Sequence, residues 1–299
     1  MCLCFSYFPA DSSQQLICGI VGGPEPPDPD AVTSPAAAPI APARLAATVL
    51  LLRDGADGLE VFMVVRHQQI DFASGALVFP GGKLATGDHD PAAQARCSGI
   101  DGLNADEIAL RIAAVREAFE ECGVLLARPR GSTAFVDPAR VAALGPQYRA
   151  ALDKGTLGIA AMLEAEDLQL ACETLVPFAH WTTPTFMPKR FDTRFYLAAA
   201  PAEQVLLHDG GEAVDSVWIR PQDALAQADA GRRTLVPATR LNVEKLGRSR
   251  SVAEALAAAR ADTIIEVLPE RVDTAAGITL RIPAAAGYGI TEFSLPAGG

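Results

Sequence analysis

Positive charge is scarce in this chain and absent from its beginning. The 299 residues carry 25 Lys and Arg against 36 Asp and Glu, which gives a net charge of −11, and the first basic residue is Arg44. No local cluster of positive charge offsets this balance, so a nucleic-acid partner is disfavoured. We also expect no secretory signal, because such a signal begins with a charged segment.

Cysteine motifs and long apolar runs are missing as well. The cysteines stand at positions 2, 4, 18, 97, 122 and 172. They form no C-x-x-C pair and no Cys/His spacing typical of a metal site, which favours a reduced, cytoplasmic protein. The longest apolar run, LAATVLLL at 45–52, is far shorter than the roughly 18 residues of a membrane-spanning helix. We therefore expect no membrane partner.

What is present is enough apolar material for a core and a clear division of the chain. Hydrophobic residues make up 49% of the sequence. Residues 1–43, with PEPPDPD and SPAAAPIAPA, are expected to form a disordered tail. One domain is expected over 44–260, with insertions at 83–105 and 137–180. Residues 261–299 are expected to form a C-terminal strand extension.

Strand and helix patterns are mixed along the domain, which predicts an α/β class with a mixed sheet. The predicted strands are 44–54, 59–67, 76–82, 174–181, 190–200 and 215–221, with a terminal strand pair at 263–269 and 277–283. The predicted helices are 104–122, 137–171 with a break near 154–155, 241–247 and 251–262. Residues 83–102 are rich in turn formers and are expected to be an inserted loop.

The helix predicted at 104–122 has clear ends and one apolar face. Asn104 is a suitable N-cap with Glu107 three residues later, and Gly123 is a suitable C-terminal stop. The apolar positions recur at helical spacing, at Ile108, Ile112, Val115, Phe119 and Cys122. We expect this face to be packed against a core.

Three glutamates lie on the other side of the same helix. At about 100° per residue, Glu117 and Glu121 are roughly 40° apart and nearly opposite the apolar face, with Glu120 close by. They are therefore expected on the outer face of an anchored helix. For an arbitrary cluster of this kind, the ordinary interpretation is a solvated charged face with Arg116 as a surface partner.

The complete run Arg-Glu-x-x-Glu-Glu-x-Gly at 116–123, preceded by FPGG at 79–82, resembles the Nudix box. That family's pattern is a glycine, five residues, a glutamate, seven residues and then R-E-U-x-E-E-x-G-U, where U is aliphatic. Ala118 is smaller than the usual aliphatic residue. The resemblance implies the Nudix fold, in which a mixed β-sheet is sandwiched between helices. It also implies hydrolysis of a nucleoside diphosphate conjugate with the help of Mg²⁺ or Mn²⁺.

The resemblance assigns roles to the residues of the run. It makes Arg116, Glu117, Glu120 and Glu121 the catalytic set. The three glutamates become the metal ligands, and Arg116 the residue that orients a glutamate. Carboxylate oxygens suit Mg²⁺, which is usually held by a few carboxylates together with substrate phosphates.

The box departs from the family pattern in its spacing. If Gly82 is the opening glycine, about 20 additional residues lie between it and Arg116. Counting back eight residues from Arg116 gives Ile108, with Glu107 one place off. The residue that takes the role of the family's first glutamate therefore stays open.

The stretch VVRHQQIDFASGALVFPGG resembles, in part, a pattern of coenzyme A diphosphatases. Arg66, Gly75 and the FPGG run fall on its spacing, but Asp71 stands where that pattern has an arginine. The insertion in the box, residues 180–198 and the run EAVDSVWIRP resemble the branch that contains peroxisomal acyl-CoA diphosphatases. The chain ends in PAGG, so we expect a cytoplasmic relative of that branch.

Several further residues are candidates for the site. Arg66, Gly81, Gly82, Arg190 and Arg194 are candidates for substrate binding, since guanidinium groups match phosphate oxygens. For Arg190 and Arg194, the alternative is that they lie on an ordinary edge strand and do not bind substrate. Glu212 is a candidate distal acid, with a surface loop residue as the alternative.

The expected substrate is a small-molecule nucleotide diphosphate, most simply CoA or acyl-CoA. ADP-ribose and NADH remain open as substrates, because specificity in such enzymes comes from loops outside the box. A domain that binds a nucleotide as a sensor without cleaving it also remains open. The sequence does not fix the oligomeric state.

Overall fold

The protein is described by a computed structural model that covers residues 40–66, 76–201, 204, 213–274 and 277–294. Most of the predicted N-terminal tail, and with it residues 1–39, lies outside the described residues. Within the described part, no helix is long and apolar enough to span a membrane.

Groups of strands and groups of helices follow one another along the described chain. The strands are β1 (Ala43–Gly55), β2 (Gly58–Arg66), β3 (Leu77–Val78), β4 (Gly81–Lys83), β5 (Ala127–Pro129), β6 (Leu168–Leu170), β7 (Val176–Thr182), β8 (Arg190–Ala199), β9 (Ala213–Ile219), β10 (Glu266–Val267), β11 (Glu270–Thr274), β12 (Gly277–Arg281) and β13 (Glu292–Ser294). The helices are α1 (Pro91–Gln94), α2 (Ala105–Cys122), α3 (Pro138–Asp153), α4 (Ile159–Ala165), α5 (Pro221–Asp229), α6 (Pro237–Leu246) and α7 (Val252–Ala261). Short 3₁₀ turns occur at Thr86–His89, Cys172–Thr174 and Ala284–Ala286.

The main sheet is mixed, as the sequence predicts. Its strands lie in the order β10-β7-β8-β1-β2-β3, while β4 also pairs with β1 and β9 with β2. The central pair, β1 and β8, is parallel, whereas β1 with β2 and β7 with β8 are antiparallel.

Strand β1 is buried on both faces because its alternate residues meet different helices. Val49 and Leu51 belong to the same apolar cluster as Phe119 of α2. Leu50 and Leu52 belong to a second cluster, which also contains residues of α6 and α7. A strand covered on both faces needs a continuous apolar run, and LAATVLLL provides it. The predicted α/β class, with a mixed sheet between helices, is confirmed.

The predicted long helical stretch ends earlier than expected. α3 and α4 account for most of it, but Leu168–Leu170 is strand β6, which pairs with β5. Leu168 and Leu170 are buried on either side of a less buried Gln169, the period-two pattern of a strand. The expected loop at 83–102 also contains a 3₁₀ turn and α1, whose N-cap Asp90 is followed by Pro91.

The predicted pairing of the two terminal strands is wrong. Strand β10, within 263–269, joins the main sheet beside β7. Strand β12, within 277–283, instead pairs with β11 and β13 in a separate three-stranded sheet. The two segments therefore complete different sheets. Helix α5, which opens with Pro221 at its first turn, was not predicted from the sequence.

Candidate active site

Helix α2 has the ends that the sequence predicts. The Asn104 side chain accepts a hydrogen bond from Glu107 N at 2.9 Å, and the Glu107 carboxylate accepts one from Asn104 N at 3.0 Å. At the other end, Gly123 adopts a left-handed conformation with φ of 70°. These caps place the Arg-Glu-x-x-Glu-Glu run in the last two turns of the helix.

Arg116 is the centre of a buried network of ion pairs. Its Nε and Nη2 donate to the two carboxylate oxygens of Asp88, both at 2.9 Å. Its Nη1 donates to Glu117 Oε1 at 2.9 Å and to Glu120 Oε2 at 3.0 Å, while Nη2 also donates to Lys83 O at 3.2 Å. The guanidinium group therefore holds three carboxylates and the backbone of β4 in one arrangement.

The expected position of the glutamates on an outer face needs correction. Glu117 and Glu120 are only 5% and 6% exposed, and Arg116 is 6% exposed. The face opposite the apolar residues of α2 is covered because β4 and the 3₁₀ turn at Thr86–His89 fold over it. The interpretation as a solvated charged face is therefore wrong for these residues. Glu121 is half-buried, and its Oε2 accepts a hydrogen bond from Gly81 N at 3.1 Å.

Asp88 is a member of this network that the sequence does not predict. It is completely buried and binds Arg116 through both carboxylate oxygens. Counted forward from Gly82, five residues precede Asp88, which is the spacing between the family's glycine and its first glutamate. Counting backward from Arg116 misses it, because the additional residues lie between Asp88 and Arg116. Glu107, the earlier candidate, is used in the N-terminal cap of α2.

Gly81 and Gly82 allow the backbone of β4 to approach its neighbours closely. A Cβ atom on Gly82 would lie 2.7 Å from Glu117 Cδ, and one on Gly81 would lie 2.7 Å from Thr48 Cα. Either contact is shorter than van der Waals distance allows. The two glycines of FPGG are therefore needed to seat Glu117 against β4 and β4 against β1.

The electrostatics of the site favour additional positive charge. Burial raises the pKa of the Glu117 carboxyl, and it raises the pKa of Glu120 to about 7, although Arg116 opposes both shifts. Burial disfavours the Arg116 cation, but its hydrogen bond to Asp88 and the nearby carboxylates outweigh this effect and raise its pKa. Three carboxylates, those of Asp88, Glu117 and Glu120, surround one guanidinium group, and the carboxylate of Glu121 follows on the same helix.

This donor set fits a divalent metal ion of the Mg²⁺ or Mn²⁺ type. The side-chain donors are carboxylate oxygens, which hard cations prefer, and they outnumber the positive charge within the network. In the described part of the chain, no three His, Cys, Asp or Glu side chains already form a metal-binding group. Arg116 instead occupies the space between Glu117 and Glu120. Glu117, Glu120 and Glu121 are the residues that could hold the ion.

The other candidate residues lie in different places. Arg190 donates to the backbone carbonyls of Thr183 at 3.0 Å and Ala41 at 2.8 Å, so it connects backbone segments. Arg194 is 38% exposed and lies 3.9 Å from Asp192. In the sheet, Arg194 pairs with Ala47, and Ala47 pairs with Gly82, which places Arg194 about 10 Å from Gly82 on the same face.

Some candidate residues cannot be placed. Arg66 ends β2, where its backbone is opposite Ala213. Glu212, the candidate distal acid, lies outside the described residues, as do Asp71 and Gly75. The structure thus brings together Arg116, the three glutamates, Gly81 and Gly82, and adds Asp88 to them.

Comparison with known proteins gives a family and several relatives. A family model described as the NUDT19 Nudix domain matches residues 92–246. The chain is 28% identical to the putative nudix hydrolase 7 of Caenorhabditis elegans over 177 residues, which cover 59% of this chain and 52% of that protein. It is 26% identical to the human acyl-coenzyme A diphosphatase NUDT19 over 237 residues, which cover 67% of this chain and 63% of that protein. The chain thus spans between half and two thirds of the length of these curated relatives.

A solved structure is also similar. The crystal structure of a NUDIX hydrolase from Alicyclobacillus acidocaldarius superposes with a TM-score of 0.61 at 28% sequence identity. The match covers 72% of this chain and 96% of that one. The Nudix fold expected from the sequence is therefore confirmed.

Proposed function

Because the chain belongs to the family described by the NUDT19 Nudix domain, we propose that it is a metal-dependent hydrolase that cleaves the diphosphate linkage of CoA or an acyl-CoA. Water is added to one phosphorus, and the bond from that phosphorus to the bridging oxygen breaks. The expected products are phosphopantetheine, or its acyl form, and adenosine bisphosphate. The buried carboxylates around Arg116 are the observation that carries this proposal.

Each residue of the network has a defined task in the proposed reaction. Glu117, Glu120 and Glu121 would hold a divalent ion, which family members generally use and which, when bound, polarises phosphoryl oxygens and lowers the pKa of bound water. Arg116 fixes the directions of Glu117 and Glu120 through its Nη1. Asp88 holds Arg116 through two hydrogen bonds. Gly81 N fixes Glu121.

The names of the relatives support CoA derivatives as the substrate class. The matching human and Xenopus laevis proteins are both named acyl-coenzyme A diphosphatase. Arg194, on the same face of the sheet as Gly82, is a partly exposed guanidinium group that suits a second phosphate of the substrate. A separation of about 10 Å from Gly82 suits a group beyond the reacting diphosphate.

A second substrate class is favoured by one residue. Asp71 stands where the coenzyme A diphosphatase pattern has an arginine, and an acidic side chain repels phosphate. This observation favours ADP-ribose or NADH, which lack the additional phosphate of CoA.

The test is incubation with Mg²⁺ or Mn²⁺ and a panel of CoA, acyl-CoAs, NADH and ADP-ribose, with product identification by mass spectrometry. Phosphopantetheine and adenosine bisphosphate are the expected products. The negative control is Glu121→Gln, which keeps an oxygen to accept from Gly81 N. Cleavage of only NADH or ADP-ribose would select the second class. Nucleotide binding without any product would favour a sensor domain.

A further inference from the structure

Arg149, on α3, contacts the C-terminal end of α2. Its Nε and Nη2 donate to the backbone carbonyl oxygen of Glu120 at 3.0 and 2.8 Å. Carbonyls in the last turn of a helix have no partner within that helix. Arg149 therefore supplies two donors to a group that α2 leaves unpaired, and it adds positive charge at the negative end of the helix dipole.

Glu120 is consequently held both by its side chain and by its backbone. Arg116 binds the carboxylate at 3.0 and 3.2 Å, while Arg149 binds the carbonyl oxygen. The next residue, Glu121, is fixed by Gly81 N. The last turn of α2 is thus anchored from two directions, by β4 on one side and by α3 on the other.

α3 can stay in place without the guanidinium group of Arg149. Its buried residues recur at helical spacing and belong to the same apolar cluster as α2; they are Val141, Leu144, Tyr148 and Leu152. Apolar burial of this size outweighs the net contribution of one or two hydrogen bonds. Removal of the Arg149 side-chain charge should therefore leave the fold intact and change only the last turn of α2.

We propose that Arg149 is a positioning residue of the active site, which fixes the last turn of α2 so that the carboxylates of Glu120 and Glu121 are held in register for a divalent cation. The inference rests on the proposed function. It gives the helical insertion at 137–180 a role in assembling the site, in addition to any role in substrate choice.

Arg140 provides a matched control on the same helix. Its Nη2 donates to the carbonyl oxygen of Glu166, so it too binds the backbone near the end of a helix, in this case α4. Unlike Arg149, it does not contact α2 through this bond. A substitution at Arg140 should reproduce the loss of stability that follows from losing such a contact, and it should leave the positions of Glu120 and Glu121 unchanged.

The experiment compares wild type with Arg149→Met, Arg149→Lys and Arg140→Met. Mn²⁺ is titrated into each full-length protein without substrate, and free Mn²⁺ is followed by electron paramagnetic resonance. Arg149→Met should weaken Mn²⁺ binding about tenfold or more, the usual effect of losing a residue that supports metal ligands. Arg149→Lys should restore part of the affinity, and Arg140→Met should bind as wild type does. Turnover should show a lower kcat for Arg149→Met with little change in KM.

The outcomes separate this inference from the proposed function. Wild-type Mn²⁺ affinity in Arg149→Met, with a loss of Tm similar to that of Arg140→Met, would overturn the inference and leave Arg149 as an ordinary helix cap. Weakened Mn²⁺ binding in Arg149→Met, with no cleavage of any tested substrate by wild type, would support the inference and contradict the proposed substrate class. A wild-type protein that binds no Mn²⁺ would overturn both.

Discussion

At the scale of single residues, the site depends on Arg116 being shared among carboxylates. One guanidinium group binds Asp88, Glu117 and Glu120, and all four side chains are buried. Removing one partner of a buried ion pair strongly lowers the free energy of unfolding, because the remaining charge is left buried and uncompensated. The network should therefore respond strongly to changes that a solvated charged face would tolerate.

Asp88→Asn should lower activity about 10- to 100-fold, because Arg116 would lose its bidentate partner and its hold on Glu117 and Glu120 would weaken. The measurement is kcat/KM with the substrate identified in the panel. Glu107→Gln is the control, since Glu107 lies on α2, the helix that carries Arg116, but its carboxylate caps the N-terminus of that helix. Equal losses in the two variants would contradict the assignment of Asp88 to the position of the first glutamate.

The raised pKa of the Glu120 carboxyl predicts that stability depends on pH when the protein is kept free of divalent ions. Its pKa is about 7 in the folded chain and near 4.5 when the chain is unfolded. As the pH rises from 4.5 to 7, the unfolded chain therefore loses this proton first, and the free energy of unfolding should fall, by up to about 3 kcal/mol. Glu120→Gln should remove this fall.

Thermal unfolding of wild type and Glu120→Gln, at pH values from 5 to 8 in a chelating buffer, tests this expectation. The Tm of Glu120→Gln should exceed that of wild type by an amount that grows with pH. Added Mn²⁺ should reverse the order, because the ion stabilises the ionised carboxylate. A Tm difference between wild type and Glu120→Gln that does not vary with pH would contradict the raised pKa of Glu120.

At the scale of elements, the approach of β4 to α2 decides where Glu117 lies. Gly82→Ala places a methyl group against the Glu117 carboxylate, so either the carboxylate or β4 must move. We expect a loss of about 1–3 kcal/mol in the free energy of unfolding, together with loss of most activity. Chemical denaturation and kcat measure the two effects.

Gly87→Ala is the control for this change. Gly87 belongs to the neighbouring 3₁₀ turn, and a Cβ atom there would meet no atom closer than 3.7 Å. It should therefore keep wild-type stability to within about 0.5 kcal/mol and keep its activity. A Gly82→Ala variant as active as Gly87→Ala would show that Glu117 does not need its observed position.

The same elements show how much the sequence can predict. The ends of α2 follow from Asn104 and Gly123 because caps are local chemistry, and the apolar face of α2 follows from its period. Asp88 was missed because its partner lies 28 residues away and only folding brings them together. The pairing of β10 with β7 was missed for the same reason, since strand partners depend on the whole sheet and a two-residue strand carries little pattern.

At the scale of the whole molecule, the C-terminal region is joined to the core through a buried chain of hydrogen bonds. Trp181 Nε1 donates to Tyr288 Oη at 2.7 Å, and Tyr288 Oη donates to Asn242 Oδ1 at 2.7 Å. These residues come from β7, from the segment between β12 and β13, and from α6. Residues expected to form a strand extension thus contribute to one of the two apolar clusters, through Ile282, Ala286 and Tyr288.

Tyr288→Phe should destabilise the protein by about 2–4 kcal/mol, because it leaves two buried polar groups without a partner. Chemical denaturation measures the loss, and kcat at a temperature where the variant is folded should be close to wild type. Tyr148→Phe is the control, since the Tyr148 hydroxyl binds Glu166, which Arg140 also binds. The control should lose less than about 1 kcal/mol. Similar losses in both variants would contradict a special role for the C-terminal chain of hydrogen bonds.

The bidentate bond between Asp88 and Arg116 has a consequence for recognising such chains by sequence. This bond joins the two residues that flank the stretch 89–115, which contains the additional residues, so the length of that stretch can change during evolution without displacing the carboxylates. A search for the Nudix box as a single motif with fixed spacing will overlook chains of this kind. A search with two shorter motifs that are separated by a gap of any length would find them. The first motif runs from Gly82 to Asp88, and the second runs from Arg116 to Gly123.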